Sequence, residues 1–289
     1  MKLEPVFIRH KLSQDEGIIK KLWDQRLIAI GFKNIPSVDP KDYEGSGDKS
    51  GANALRRLLH FCKHGALVGA VYRRIKPGHI LIGKIEPGSK VRAKDFSQTN
   101  GDECWLKTVQ LSDCKEVSLL DYPVLMGLQP RNATVCGWPS AEKPLKAAYQ
   151  GDGVPLEVKS LHHTQLETLC LNYMIECKRI AALLSPIGGI MVDADIVGLD
   201  SNGQRVVAQV THSMDQQTVE TKVERLAEYR SDAHRLIIFA PDDILRKMDA
   251  KCGELIERVP IEEVFDVAME KKLSPLGQAL LGMLGHYSG

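Results

Sequence analysis

The chain has 289 residues, 43% of them apolar and 26% charged, which fits one large or two ordinary globular domains and excludes a disordered or fibrous chain. No apolar run approaches the about 18 residues that cross a bilayer, and the opening MKLEPVFIRHKLSQDEG carries acids where a signal peptide has its apolar core; a cytoplasmic protein with no membrane partner is expected. The net charge of +1 hides an uneven split, since residues 1–150 hold 24 Lys/Arg against 16 Asp/Glu (+8) and residues 151–289 hold 14 against 21 (−7). Ser13–Trp23 is predicted helical, with Ser13 as N-cap and Glu16 completing a capping box. Leu27–Phe32 reads as a short strand, and Asn34–Gly51, rich in Pro, Asp, Ser and Gly, as a long loop. Ala52–His64 carries Leu55, Leu58, Leu59 and Phe61 at helical spacing. Ala66–Tyr72 and His79–Ile85 alternate like strands about a turn at Lys76–Gly78, and Trp105–Leu111 and Val117–Leu120 are further strand candidates. Gly137–Lys159, with three prolines and three glycines, marks the expected boundary between domains 1–140 and 155–289.

The second half has a different rhythm. Thr164–Leu184 is predicted to be one amphipathic helix, with Leu166, Leu169, Cys170, Tyr173, Met174, Cys177, Ile180, Ala181 and Leu184 on a single face, stopped at Pro186–Gly189. Ile190–Leu199 is a predicted strand on which Asp193 and Asp195 share a face, because side chains two apart do so. Asp200–Gly203 (DSNG) is a hairpin turn signal, and Arg205–Thr211 is the returning strand, with Gln209 and Thr211 on one face. Gln216–Tyr229 reads as a helix and Arg235–Ala240 as a short apolar strand. The turn lets an acid on one strand and a polar pair on the next converge, and Glu167 on the upstream helix can lean over the same place. An acidic half suits a carboxylate site for a cation, and a basic half suits a phosphate backbone.

Other metal chemistry finds little support. The seven cysteines (Cys62, Cys104, Cys114, Cys136, Cys170, Cys177, Cys252) are odd in number and contain no Cys-x-x-Cys pair, so a zinc ribbon is excluded and small buried hydrophobes are expected. His60 and His64 are four apart without a third ligand, and His162-His163 reads as the start of a helix.

Residues 164–241, with the helix Glu, the acidic strand, the Gln-x-polar strand and the helix and strand that follow, resemble the PD-(D/E)XK nuclease superfamily. Within it they resemble the Mrr-like restriction enzymes, which write the second half-motif as Gln-x-Lys. The resemblance implies Asp195 as the metal-binding acid, with Asp193 as the rival choice, Gln209 as a carbonyl ligand or water-positioning group, and Glu167 as accessory acid. It implies Mg2+ (or Mn2+), which hard oxygen ligands suit and which polarises the scissile phosphate. Thr211 stands where the family has its lysine, and threonine carries no charge. Either Lys222, Lys178 or His212 substitutes, or the domain has lost cleavage.

Trp23–Phe32 (WDQRLIAIGF) and the later GALVGAVYRRIKPGHILIGKI, within residues 5–135, resemble EVE and related PUA-like domains, small β-barrel modules that read a modified or flipped base. This implies Trp23, Tyr72 and Trp105 as stacking residues and Arg56, Arg57, Arg73 and Arg74 as phosphate contacts. The expected architecture is α/β, an N-terminal PUA-like β-barrel with helices followed by a restriction-endonuclease-like domain with a central mixed sheet. The expected function is a Mg-dependent DNA endonuclease, of a modification-dependent restriction or phage-defence kind, acting on DNA with or without modified bases. The competing expectation is a catalytically degenerate nuclease fold that binds or assembles on nucleic acid. A homodimer is expected by analogy with related nucleases.

Overall fold

The structure, a computed structural model, describes residues 3–10, 15–96, 104–130, 134–185, 194–233, 235–248, 255–285 and 287–288. Two units share the chain, Met1–Val154 and Pro155–Tyr287. The first contains β1 (Glu4–Arg9), α1 (Glu16–Asp24), β2 (Leu27–Ile30), α2 (Pro40–Gly45), α3 (Lys49–His64), β3 (Ala66–Val71), β4 (His79–Ile85), β5 (Arg92–Asp95), β6 (Trp105–Gln110), β7 (Ser112–Ser118), α4 (Pro123–Gly127), β8 (Val135–Gly137) and α5 (Glu142–Gln150), and β9 (Val154–Pro155) lies at its end. A five-stranded sheet runs in the order β7-β4-β3-β1-β8, and a three-stranded one in the order β2-β6-β5. β1 and β3 pair in parallel, and the remaining pairs are antiparallel. The apolar runs of β1 and β3 are buried along nearly their whole length because helices and strands cover both faces. Leu55, Leu58, Phe61 and Cys62 of α3 pack into one core with Val6, Ile8, Val68 and Ala70. Both sheets stay open among the described residues, so the barrel expected for this half is not formed there.

Helix caps explain two differences from the sequence reading. The N-cap of α1 is Asp15, whose carboxylate accepts from the amides of Gly17 (2.7 Å) and Ile18 (3.2 Å); the expected cap, Ser13, lies outside the described residues. The stretch 34–51, expected to be a loop, holds α2 and the start of α3. Its prolines and aspartates are helix starts, with Asp39 capping α2, Pro40 in the first turn and Asp48 capping α3.

The second unit contains α6 (His163–Glu176), β10 (Ala182–Leu183), β11 (Ile196–Leu199), β12 (Arg205–Val210), α7 (Gln216–Ala227), β13 (Arg235–Ala240), α8 (Asp242–Leu245), β14 (Ile256–Pro260), α9 (Ile261–Glu270) and α10 (Pro275–Leu284). Its sheet runs β10-β11-β12-β13-β14, antiparallel up to β12 and parallel from there on. The crossover helix α7 seats Val219, Val223 and Leu226 on β12 and β13 with Val207, Leu236 and Ile238. α6 lies against β12 on one side and α9 and α10 on the other, so it is apolar over most of its circumference instead of along one stripe.

The helix expected to run to Leu184 stops at Glu176. Lys178 takes a positive φ of 56°, its amide donates to Ile175 O (3.0 Å), and the Arg179 amide donates to Met174 O (2.8 Å). That is a Schellman stop with lysine in the place where glycine usually sits, which hides it from a composition-based reading. The chain then turns so that Ile180 lies over Gly198 of β11, where a Cβ would come within 1.9 Å of Ile180 Cδ1 and 2.5 Å of Ala182 O. The Asp200–Gly203 turn is built as its residues suggest. Asp200 Oδ1 accepts from the amides of Asn202 (2.8 Å) and Gln204 (2.9 Å), and Gly203 supplies the positive φ of 76°. Among the described residues no helix is long and apolar enough to cross a membrane. Of the described cysteines, Cys62 and Cys170 are buried and Cys177 is exposed.

Candidate functional site

Strand pairing brings the predicted groups together. Ile196 pairs with Ala208, and the Asp195 amide donates to Ala208 O (2.9 Å), so Asp195 sits opposite Gln209 just beyond the last pair of β11. Asp195 Oδ2 accepts from the Val210 amide (2.8 Å) and from Gln209 Nε2. The amide of Gln209 also donates to Val210 O (3.2 Å). One carboxylate oxygen is thus fixed by two donors of β12. Gln209 and Thr211 are buried, and Thr211 is tied to the next strand through its amide to Phe239 O (2.9 Å).

Glu167 reaches this place from α6, on the stripe it shares with the buried Cys170, Leu171 and Met174. It is 6% exposed, and its Oε2 is buried with no hydrogen-bond partner among the described residues. Burial pushes its carboxyl up to about 7, the neighbouring Asp195 charge adds to the rise, and the Lys222 ammonium opposes it. Asp195 is also held above its ordinary value by burial, against the Val210 amide, Lys222, His163 and Gln209, all of which favour its charged form. Two carboxylates therefore share a desolvated space with one cationic side chain in electrostatic reach of both.

Lys222 is on α7, three residues after the buried Val219 and one before Val223, so it flanks the face that packs on the sheet. Of the three groups expected to replace the missing lysine charge, it alone acts on both carboxylates. Lys178 follows Glu167 by eleven residues, roughly 16 Å along the helix direction, beyond the far end of α6. His212 is exposed and enters neither carboxylate's balance. Asp193, the rival acid, lies outside the described residues. Sequence reasoning sets His163 at the start of the helix, where it is, and gives it no part in the site. Its spacing of four before Glu167 on α6 is the available signal, since such pairs lie on one helix face. Among the described residues no group of three or more His, Cys, Asp or Glu side chains is arranged to hold a metal; the constellation has two acids and an amide.

The aromatic residues expected to read a base are placed otherwise. Tyr72 is fully buried, donates its hydroxyl to Leu27 O (2.7 Å) and stacks on His10 at 4.0 Å between ring centres. Trp23 is 6% exposed and meets Tyr72 edge-on at 5.2 Å. Both are core residues with their ring faces already covered, which corrects the expectation that they stack on a base. Trp105 is half-buried at the start of β6. Arg73 and Arg74 are exposed, with Arg73 Nη2 donating to Gln129 Oε1 (2.9 Å). Arg56 pairs with Glu44, and Arg57 Nη1 donates to Val135 O (3.3 Å).

No family model matches the chain, and no curated protein does. Among solved structures, the chain is similar to a repair endonuclease from Pyrococcus abyssi, at 16% identity and a TM-score of 0.24, over 64% of this chain and 75% of that one. It is similar to EndoMS in a complex with double-stranded DNA at 17% identity and a TM-score of 0.24, and to EndoMS in its apo form at 17% and 0.20, with the same coverage. These are distant likenesses, and the functional reading rests on the residues described above.

Proposed function

We propose that the second unit is a divalent-metal-dependent nuclease that hydrolyses phosphodiester bonds in DNA, with Glu167, Asp195 and Gln209 as its working groups in a restriction-endonuclease-like arrangement. The observation that carries the reading is that Glu167, whose buried oxygen has no partner among the described residues, lies in electrostatic reach of an Asp195 held through its Oδ2 by two donors. Two acids in electrostatic reach of each other, both shifted up by burial, are eased by a proton or a cation in the same space. Carboxylate and amide oxygens are hard donors that match Mg2+ or Mn2+. Gln209 can offer its Oε1 by turning its amide end over, a rotation that exchanges two atoms of nearly equal size.

Such an ion, when bound, supplies polarisation of the phosphoryl oxygen and a more acidic water. The chain's own groups do the rest. The Val210 amide and Gln209 orient Asp195. Glu167, ionised only above about pH 7 in the metal-free protein, would hold the ion together with Asp195 once it has lost its proton. Lys222 takes the part of the missing lysine and offsets charge that develops on the phosphate. Incubation of plasmid DNA with the full chain and Mg2+ or Mn2+ should give nicked and linear products, and D195N should give none while remaining folded. Cutting by D195N at the wild-type rate overturns the assignment. Thr211 favours a second reading, a nuclease fold that binds without cutting; binding by the wild-type protein with no cleavage under either metal selects it.

A further inference from the structure

We infer that the first unit holds a nucleic-acid strand by its phosphates, in a cleft on the face of the β2-β6-β5 sheet, and that it does so without reading bases. The cleft has a volume of about 310 Å³ and is lined by Leu27, Ser89, Lys90, Arg92, Lys94, Thr108 and Gln110. Pairing of Arg92 with Thr108, of Lys94 with Leu106 and of Leu27 with Gln110 puts these side chains on a single sheet face. Lys90 and Arg92 are exposed and Lys94 is half-buried, and among the described residues none of the three forms an ion pair.

The neutral donors around the cations are already engaged. The Ser89 hydroxyl donates to Glu86 O (2.6 Å), the Thr108 hydroxyl to Arg92 O (3.2 Å), and the Gln110 amide to the main-chain oxygens of Gln25 (2.9 Å), Arg26 (3.3 Å) and Leu111 (3.2 Å). What the cleft offers a ligand is therefore three positive charges without an ion pair among the described residues, beside neutral donors that are already spent. No aromatic ring lines it, so it has no platform for a base. Arg92 and Lys94 are two residues apart on one strand, roughly 7 Å, close to the separation of successive phosphates along an extended nucleic-acid strand. Charge without code is what recognition of a backbone uses. The choice of nucleic acid over another polyanion rests on the nuclease reading of the second unit; the anion cleft itself does not.

The test is fluorescence anisotropy of labelled single-stranded and duplex 20-mers with the full chain in EDTA, which keeps binding apart from cutting. The K90Q/R92Q/K94Q variant, altered at side chains outside the core, should bind at least about tenfold more weakly at low salt. Its plot of log affinity against log salt should be shallower by about 2 to 3, at roughly 0.7 to 0.9 for each phosphate no longer neutralised. Equal affinity and slope in wild type and variant overturn the proposal, and so does competition by polyglutamate as strong as that of unlabelled DNA of the same charge. Binding of sodium tripolyphosphate by the wild type without binding of either 20-mer assigns the cleft to a free phosphate ligand, which also overturns it. Weakened binding in the variant with no cleavage by the wild type in Mg2+ supports the cleft and defeats the nuclease reading; unchanged binding beside normal cleavage does the reverse.

Discussion

Replacement of Glu167 by glutamine should stabilise the second unit and abolish its proposed chemistry, and the size of the gain should depend on pH. In the folded chain this carboxyl titrates near 7, against an ordinary value of 4.5, chiefly because it is buried. A raised acid favours the protonated folded form. The penalty is therefore absent well below pH 4.5, grows as the unfolded chain ionises while the folded one keeps its proton, and is complete above about pH 7. At pH 5 it amounts to under about 1 kcal/mol, and at pH 8 to about 3 kcal/mol. Glutamine has the same shape and no charge to bury, so E167Q should unfold at about the wild-type temperature at pH 5 and roughly 10 °C higher at pH 8. The three tryptophans, Trp23, Trp105 and Trp138, all lie in the first unit, so calorimetry of the full chain is the suitable assay. Saturating Mg2+ should reverse the order at pH 8, because only the wild type gains from binding. A pH-independent gap between the two proteins, or a less stable glutamine variant at pH 8, would refute the desolvated-acid argument.

Other substitutions separate the roles of neighbouring groups. K222Q should slow metal-dependent cleavage, and it should move the rising limb of its pH profile upward, because both carboxylates lose a stabilising charge; K222R should retain most activity, and an unmoved profile in K222Q removes Lys222 from the site. G198A should cost about 1–3 kcal/mol by driving a methyl group into Ile180 and the Ala182 carbonyl, which urea unfolding can measure. W23A should lose about 3–5 kcal/mol of stability and leave nucleic-acid affinity unchanged per folded molecule; a selective loss of affinity would restore Trp23 as a base reader.

The site is more legible in the sequence than the elements around it, for a physical reason. Strand periodicity fixes which residues share a face, so the Asp200–Gly203 turn and the run Arg205–Thr211 are enough to bring Asp195 opposite Gln209. The helical pattern points to Glu167 but hides its burial, because a glutamate on a predicted helix looks the same whether it meets water or a sheet. The end of α6 is hidden because Lys178 does what glycine usually does, and the apolar Ile180, Ala181 and Leu183 that follow belong to a strand region instead of the helix. In the first unit, resemblance to a reader domain puts Tyr72 and Trp23 at a binding surface. Packing and the hydroxyl bond to Leu27 hold them in the core instead. The cleft cations Lys90, Arg92 and Lys94 stand two apart, the spacing that puts side chains on one strand face, but the cleft beside them is hidden because it depends on the pairing of β2 with β6, far apart in sequence.

Diffraction from crystals of the full chain soaked in Mn2+, with data collected for its anomalous signal, tests the carboxylate site most directly. One ion should bridge Glu167 and Asp195, with the oxygen of the Gln209 amide turned toward it and Lys222 facing the open side. An ion bound only elsewhere, with Gln209 still donating to Asp195 and Glu167 still unpartnered, would contradict the metal-dependent nuclease.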